Sequence, residues 1–153
     1  MYNCNARKLK SFFKEGTYSF TTHPIFGINI DDGKAVFSYN YNKCNRLESV
    51  TLDITGFVFV VPLQIKIIYY VNGNVHFDDF LGGSLEGKWK AKRCRMCTLF
   101  DGIVNNPDGE KVALRGKNLL VKNSNVKYTS YTYESKDGQC NLLATSEFIK
   151  LLQ

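Results

Sequence analysis

The sequence predicts an all-β protein: an antiparallel two-sheet β-sandwich or jelly roll with a short helix at each terminus, and a closed β-barrel as the alternative. Apolar and polar residues alternate with period two along several segments, most clearly at Val50–Ile54. Turn residues separate such segments at intervals of roughly 8–12 residues, which is typical of sandwiches and barrels. The sequence contains no run of alternating strands and helices, the pattern that would predict a parallel sheet.

The 153 residues predict one domain spanning 1–153. A hydrophobic content of 44% excludes a wholly disordered chain. The order Glu-Gly-x-aromatic, Phe, Gly-Ile and Asp-Gly occurs twice, which would follow from duplication of two halves at about 15–80 and 86–145. Chance recurrence of turn residues would also explain the pattern.

The first half begins with a predicted amphipathic helix over residues 6–14, in which Leu9, Phe12 and Phe13 form one apolar stripe. Short strands follow around Tyr18–Phe20, Phe26–Ile30, Ala35–Tyr41 and Val50–Ile54. Phe57–Val61 is apolar on both faces, so it is predicted to be the central strand, covered on both sides. Asn72-Gly73 predicts a hairpin because both residues tolerate positive φ angles.

The second half continues with short strands after a Gly82-Gly83 break. They are predicted from Leu85 onward and over 98–104, 112–114, 119–121 and 126–133, with a turn at Asn105–Gly109. Ser146 is placed to cap a final helix, whose apolar residues would be Phe148, Ile149, Leu151 and Leu152.

The distribution of cysteine and apolar residues predicts a location in the cytoplasm or another reducing compartment. Five cysteines are an odd number, which argues against a closed disulfide framework. The first residues lack the apolar core of a signal peptide. The longest apolar run, Phe57–Val71, is interrupted by Pro62, Gln64 and Lys66 and is too short for a transmembrane helix.

A basic cluster follows the central stretch, and it is the most distinctive chemical feature of the chain. Five of the eight residues from Lys88 to Arg95 are basic, and the only tryptophan, Trp89, lies among them. Lys and Arg neutralise phosphates and an aromatic ring stacks on unpaired bases, so the cluster predicts a single-stranded nucleic-acid surface. The predicted binding residues are Lys88, Lys90, Lys92, Arg93 and Arg95. In a strand, however, the lysines would face one side and Trp89 the other, which describes a solvated outer row over a core tryptophan.

Cys94 and Cys97 have the spacing of half a zinc site, the one cofactor that the sequence suggests. Two further ligands are required, and no second Cys-x-x-Cys occurs. A disulfide between the two thiols and a pair of ordinary cysteines are the other interpretations. His76 and Asp78 would share a strand face, which suits a metal site, an acid–base pair or a solvated hairpin end.

Tyrosines flanked by polar residues suggest a carbohydrate-binding surface as a further alternative. The candidates are Tyr39, Tyr41, Tyr131 and Tyr133. Their rings could pack on a sugar while neighbouring amides bind its hydroxyls, although tyrosine rows are also ordinary strand residues.

These features together predict a non-enzymatic binding module. No motif of a hydrolase, metalloprotease, phosphate loop or dinucleotide site occurs. The net charge of +6 favours an anionic partner, first of all single-stranded nucleic acid, although many proteins that bind no polyanion carry a similar charge. A carbohydrate-binding module and a structural or assembly protein, such as a viral one, are the alternatives.

Overall fold

The computed structural model describes residues 2–24, 29–78, 83–105 and 109–152. Within these ranges the chain forms one helix and ten strands. They are α1 (Tyr2–Phe12), β1 (Gly16–Pro24), β2 (Asp31–Tyr41), β3 (Leu47–Val58), β4 (Val61–Tyr70), β5 (Asn74–Asp78), β6 (Ser84–Lys92), β7 (Arg95–Asn105), β8 (Lys111–Ser124), β9 (Lys127–Lys136) and β10 (Gln139–Lys150).

The strands form a closed antiparallel barrel in which every strand pairs with its neighbours in sequence. The first and last strands complete the ring, with Phe20 opposite Phe148 and Tyr18 opposite Lys150. The all-β prediction and its barrel alternative are therefore confirmed, whereas the preferred two-sheet sandwich is not formed. A sandwich leaves edge strands with unpaired backbone groups, and the β1–β10 ladder removes them.

The predicted C-terminal helix is wrong, because the segment around Ser146 belongs to β10. This strand is hydrogen-bonded to β9 on one side and to β1 on the other. Phe148 points inward and packs on Phe20, with ring centroids 5.0 Å apart, and the Ser146 hydroxyl donates to Thr22 Oγ1 over 3.1 Å. The four apolar residues that predicted the helix also fit helical spacing. The segment is nevertheless a strand, because its backbone pairs with β1 on one edge and β9 on the other.

The Phe57–Val61 segment is also not the covered central strand that its apolar run predicts. Phe59 and Val60 form the two-residue turn between β3 and β4, and their side chains are 73% and 88% exposed. Phe59 adopts a φ of 58°, so the chain reverses there despite the absence of glycine. The Asn72-Gly73 turn is confirmed between β4 and β5.

Some predicted features fall outside the described residues. They are Phe26, Ile28, Gly82 and the middle of the Asn105–Gly109 turn. The suggested duplication remains a prediction; its two halves would contain β1–β5 and β6–β10.

Helix α1 closes one end of the barrel with an aromatic core. Leu9, Phe12 and Phe13 are buried, and Phe13 packs on Phe37 and Tyr69 with ring centroids 5.2 and 4.8 Å apart. The predicted N-terminal helix is thus confirmed, although it begins and ends earlier than residues 6–14.

Three tyrosine hydroxyls hold the end of this helix and the residues that follow it. Tyr128 donates to the Phe12 carbonyl over 2.5 Å, Tyr39 to that of Phe13 over 2.5 Å and Tyr18 to that of Lys14 over 2.8 Å. These bonds satisfy carbonyls that a helix C-terminus leaves without an intrahelical partner.

Candidate functional sites

The predicted basic strand is β6, and its alternation agrees with the sequence. Lys88, Lys90 and Lys92 are exposed on the outer face. Trp89 points into the barrel, is 5% exposed and donates its indole N–H to the Tyr70 carbonyl over 2.6 Å. The Trp89 ring therefore belongs to the core and does not lie beside the lysines as a stacking platform.

Arg93 and Arg95 continue the basic surface around the turn between β6 and β7. Arg93 adopts a φ of 56°, and Arg95 begins β7 directly opposite Lys92. Both side chains are exposed. Because α1 lies at the same end of the barrel, the turn brings the predicted cluster close to the cations of the helix.

We define the helix end as α1, residues 13–15, the four connections at the same end of the barrel and the three residues of each strand nearest to that end. The four connections are 42–46, 71–73, 93–94 and 125–126. Thirteen of the twenty Lys and Arg residues lie there, against two of the fourteen acidic residues, Glu15 and Glu48. The cations are Arg7, Lys8, Lys10, Lys14, Lys43, Arg46, Lys90, Lys92, Arg93, Arg95, Lys122, Lys127 and Lys150. The charge of +6 is therefore distributed very unevenly.

A groove runs between α1 and the β6–β7 turn. Its volume is about 600 Å³, and Arg7, Lys8, Lys92 and Arg93 line its two walls. Ser11, Phe12 and Arg93 also border a second depression of about 410 Å³ that continues to Lys122. The two depressions form one cationic groove, which we define by Arg7, Lys8, Lys92, Arg93 and Lys122.

Lys122 reports the electrostatic potential of this groove. Its ammonium group donates to the Ser11 carbonyl over 2.6 Å. Partial burial and the nearby charge of Lys14 lower the pKa of Lys122, an effect that Cys94 partly opposes. A cation whose pKa is lowered in part by another cation lies where an anion would be stabilised.

The candidate sugar-binding tyrosines do not come together. Tyr39 and Tyr41 lie on β2, where the Lys10 ammonium is 5.6 and 5.5 Å from their ring centroids, and the Tyr39 hydroxyl is bonded to backbone carbonyls. Tyr131 and Tyr133 lie on the outer face of β9, which β1 and β10 separate from β2. The Tyr133 ring contacts Lys117 at 5.2 Å.

Cys94 is exposed in the β6–β7 turn and Cys97 is half-buried on β7, and both thiols are free. Among the described residues, no group of three or more His, Cys, Asp or Glu side chains is arranged to hold a metal ion. His76 lies on the outer face between two carboxylates: Nε2 is 2.8 Å from Asp78, and Nδ1 bonds Glu86.

The barrel interior contains a second candidate site that sequence reasoning missed. A cavity of about 350 Å³ lies among inward-facing residues of β4 to β9. It is lined by Ile67, Tyr69, Val75, Phe77, Leu85, Gly87, Thr98, Phe100, Val104, Leu114, Asn118 and Thr132. None of these described lining residues carries a charge.

One hydroxyl of this lining is buried without a hydrogen-bond partner among the described residues. Thr98 is 5% exposed, and its buried Oγ1 is unpaired. Tyr69 is 3% exposed, and burial raises the pKa of its hydroxyl. By contrast, the Asn118 amide donates to Ser130 Oγ over 2.7 Å and to Thr132 Oγ1 over 3.1 Å.

Two inward-facing glycines beside the cavity allow neighbouring chain segments to approach closely. Gly87 and Gly116 lie directly opposite Phe100 on the two neighbouring strands. A Cβ on Gly116 would approach the Phe100 ring to 2.9 Å and the Tyr133 carbonyl oxygen to 2.3 Å. The sequence signal was the presence of Thr98, Asn118 and these glycines at inward positions, but the inward face could be assigned only with the strand register.

Comparison with protein-family models, with curated proteins and with solved structures finds no match to this chain. In the described part of the chain, no helix has the length and apolar character needed to cross a membrane. A functional proposal must therefore be based on the two sites themselves.

Proposed function

We propose that this protein is a non-enzymatic binding protein for a polyanion, specifically single-stranded nucleic acid, which it binds at the helix end. The observation that carries the proposal is the concentration of thirteen cations against two carboxylates at this end. Such a surface attracts a phosphate backbone over a distance of about one Debye length, roughly 8–10 Å at physiological salt.

The cationic groove supplies the contact surface. A phosphate chain lying between α1 and the β6–β7 turn would meet Arg7 and Lys8 on one wall and Lys92 and Arg93 on the other. Guanidinium groups can bind phosphate oxygens in a bidentate manner. Backbone phosphates would therefore contribute most of the affinity, with little sequence preference.

Base stacking contributes less than the sequence suggests, because the Trp89 ring is buried. Tyr41 is a better candidate, since it lies at the helix end and is 46% exposed. The Lys10 ammonium 5.5 Å from its ring centroid would allow one nucleotide to contact both a ring and a cation. Stacking on such a ring contributes about 1–3 kcal/mol per base.

The salt dependence follows from the five cations of the groove. If each neutralises one phosphate of a single strand, log K falls with log salt with a slope of about −3.5. Affinity would then drop on the order of a hundredfold between 50 and 200 mM salt.

Fluorescence anisotropy with a labelled 20-nucleotide oligothymidylate tests the proposal. The triple variant Lys8→Glu/Lys90→Glu/Lys92→Glu reverses three exposed charges at the helix end. The variant Lys34→Glu/Lys66→Glu/Lys111→Glu makes the same change of net charge at exposed positions elsewhere. We expect the first to lose on the order of a hundredfold in affinity at 50 mM salt and the second less than fivefold, because local phosphate contacts contribute more than net charge.

Equal losses in the two variants would show that only net charge matters and would overturn the assignment of the groove. Undetectable binding of the wild-type protein at 50 mM salt would overturn nucleic acid as the partner. Binding to vesicles with 30% phosphatidylserine, without binding to the oligonucleotide, would assign the surface to a membrane instead.

A further inference from the structure

We propose that the barrel cavity is a binding site for a small, neutral, largely apolar molecule that carries one hydrogen-bonding group, such as a hydroxyl or an amide. This site shares no lining residue with the five cations that define the cationic groove, and it does not depend on polyanion binding. Thr98 and Tyr69 would bind the polar group of the ligand, and the surrounding aliphatic and aromatic side chains would bury the rest of it.

The size and lining of the cavity favour a small apolar ligand. Its volume of about 350 Å³ is at the lower end of the range for ligand pockets, roughly 300–1,000 Å³. Ile67, Val75, Phe77, Leu85 and Leu114 provide most of an apolar wall. Protein interiors normally contain few voids larger than a water molecule, so an unfilled space of this size is unusual.

The unpaired hydroxyl of Thr98 indicates that the ligand has a polar group. Buried polar atoms are almost always hydrogen-bonded, because leaving them unpaired after they lose water is unfavourable. Thr98 Oγ1 has no such partner among the described residues, and Thr98 and Tyr69 line the same cavity. One bound hydroxyl or amide could pair with both hydroxyls.

The absence of charge among the described lining residues indicates that the ligand is neutral. A carboxylate or ammonium group in this lining would lose its hydration without gaining a counter-ion. Burial raises the pKa of Tyr69, so its phenol stays protonated at physiological pH and is available as a donor. The cations of the protein are concentrated at the helix end, on the far side of the α1 core.

The neutral fluorophore N-phenyl-1-naphthylamine can test this site in the full-length protein. We expect saturable binding of one molecule per chain with enhanced fluorescence. 1-Decanol should displace it at least tenfold more effectively than decanoate at pH 8. Absence of saturable binding would overturn the site, and equal displacement by decanoate would overturn the neutral class of ligand.

Two matched variants locate the binding. Leu114→Trp fills the cavity, whereas Leu99→Trp adds the same side chain on the outer face of β7, where Leu99 is 60% exposed. We expect Leu114→Trp to abolish fluorophore binding and Leu99→Trp to leave it unchanged. Loss in Leu99→Trp alone would place the fluorophore on the outer surface and contradict the proposal.

A third variant provides a measurement even if Leu114→Trp fails to fold. Thr98→Val keeps the volume and removes the unpaired hydroxyl. We expect it to weaken 1-decanol binding about fivefold to tenfold, the loss of one hydrogen bond. An unchanged affinity for 1-decanol would exclude Thr98 as the partner of the polar group and contradict the proposed chemistry.

Discussion

Replacing Thr98 by Val should stabilise the unliganded protein, whereas the same change at Thr132 should destabilise it. Both threonines face inward and line the same cavity. They differ in hydrogen bonding: Thr132 Oγ1 accepts a hydrogen bond from Asn118 over 3.1 Å, whereas Thr98 Oγ1 has no partner among the described residues. Thr98 is also buried, whereas Thr132 is half-buried. Because the substitution is the same, changes in volume and β-propensity largely cancel between the two variants.

The magnitudes follow from these two hydroxyls. An unpaired buried polar group costs about 1–3 kcal/mol, which Thr98→Val would recover. Loss of an ordinary hydrogen bond costs about 0.5–1.5 kcal/mol, which Thr132→Val would incur. In a chain of this size each kcal/mol shifts Tm by about 2–4 °C. The two variants should therefore differ by roughly 3–18 °C, with Thr98→Val above the wild-type protein and Thr132→Val below it.

Thermal and urea unfolding of protein freed of bound small molecules would measure this difference. Solvent extraction before the measurement is needed, because a ligand in the cavity would stabilise the wild-type protein by mass action. Destabilisation of Thr98→Val by as much as Thr132→Val would refute the reasoning. It would mean that the Thr98 hydroxyl is already paired in the unliganded protein, and the evidence for an unfilled polar position would be lost.

Two further predictions concern the helix and the outer surface. Tyr128→Phe removes the 2.5 Å bond to the Phe12 carbonyl and should lower the free energy of unfolding by about 1–2 kcal/mol in urea titrations; an unchanged value would contradict the role of this hydroxyl in holding α1. Burial opposes the charged form of His76, but the carboxylates of Glu86 and Asp78 outweigh this effect and raise its pKa. The resulting stabilisation should be complete below about pH 6.5, which is the pKa of histidine in the unfolded chain. It should be lost as the pH rises through the higher pKa of His76 in the folded protein. Unfolding of the wild-type protein and His76→Gln between pH 5 and 9 tests this, and a pH-independent difference between them would contradict it.

The local pattern of the chain predicts its strands, but not how the sheet closes. Period-two alternation at Val50–Ile54 and the turn at Asn72-Gly73 depend on neighbouring residues, and both predictions are confirmed. Closure depends on pairing between Phe20 and Phe148, which are far apart in the chain. A sandwich and a barrel have the same alternation, so the sequence could not distinguish them.

The two wrong assignments share a physical cause. Phe57–Val61 and the residues after Ser146 are both apolar runs whose structure depends on tertiary context. In the first, the chain turns at Phe59 and leaves large apolar side chains in solvent. In the second, backbone pairing with β1 and β9 overrides a helical spacing of apolar residues. Hydrophobicity predicts burial only on average, and short apolar runs do not distinguish a helix from a strand.

The sites differ in how much of them the sequence could predict. The lysines of β6 occupy every second position of one strand, so alternation predicts that they face outward and that Trp89 faces inward. The wider cationic surface required the topology, which brings Arg7 and Lys8 of α1 beside the β6–β7 turn. The cavity required the register of six strands, because Thr98 and Asn118 resemble outer polar residues until their inward direction is known.

Tyr69 connects the two proposed sites, and its chemistry allows them to be tested separately. Its ring packs on Phe13, just after α1, with centroids 4.8 Å apart, while the residue also lines the cavity. Truncating the ring would therefore disturb both α1 and the cavity, and a loss of oligonucleotide binding would be ambiguous. Tyr69→Phe keeps the ring contact and removes only the hydroxyl. It should weaken the binding of 1-decanol and leave the affinity for oligothymidylate unchanged, because the five cations of the groove remain in place.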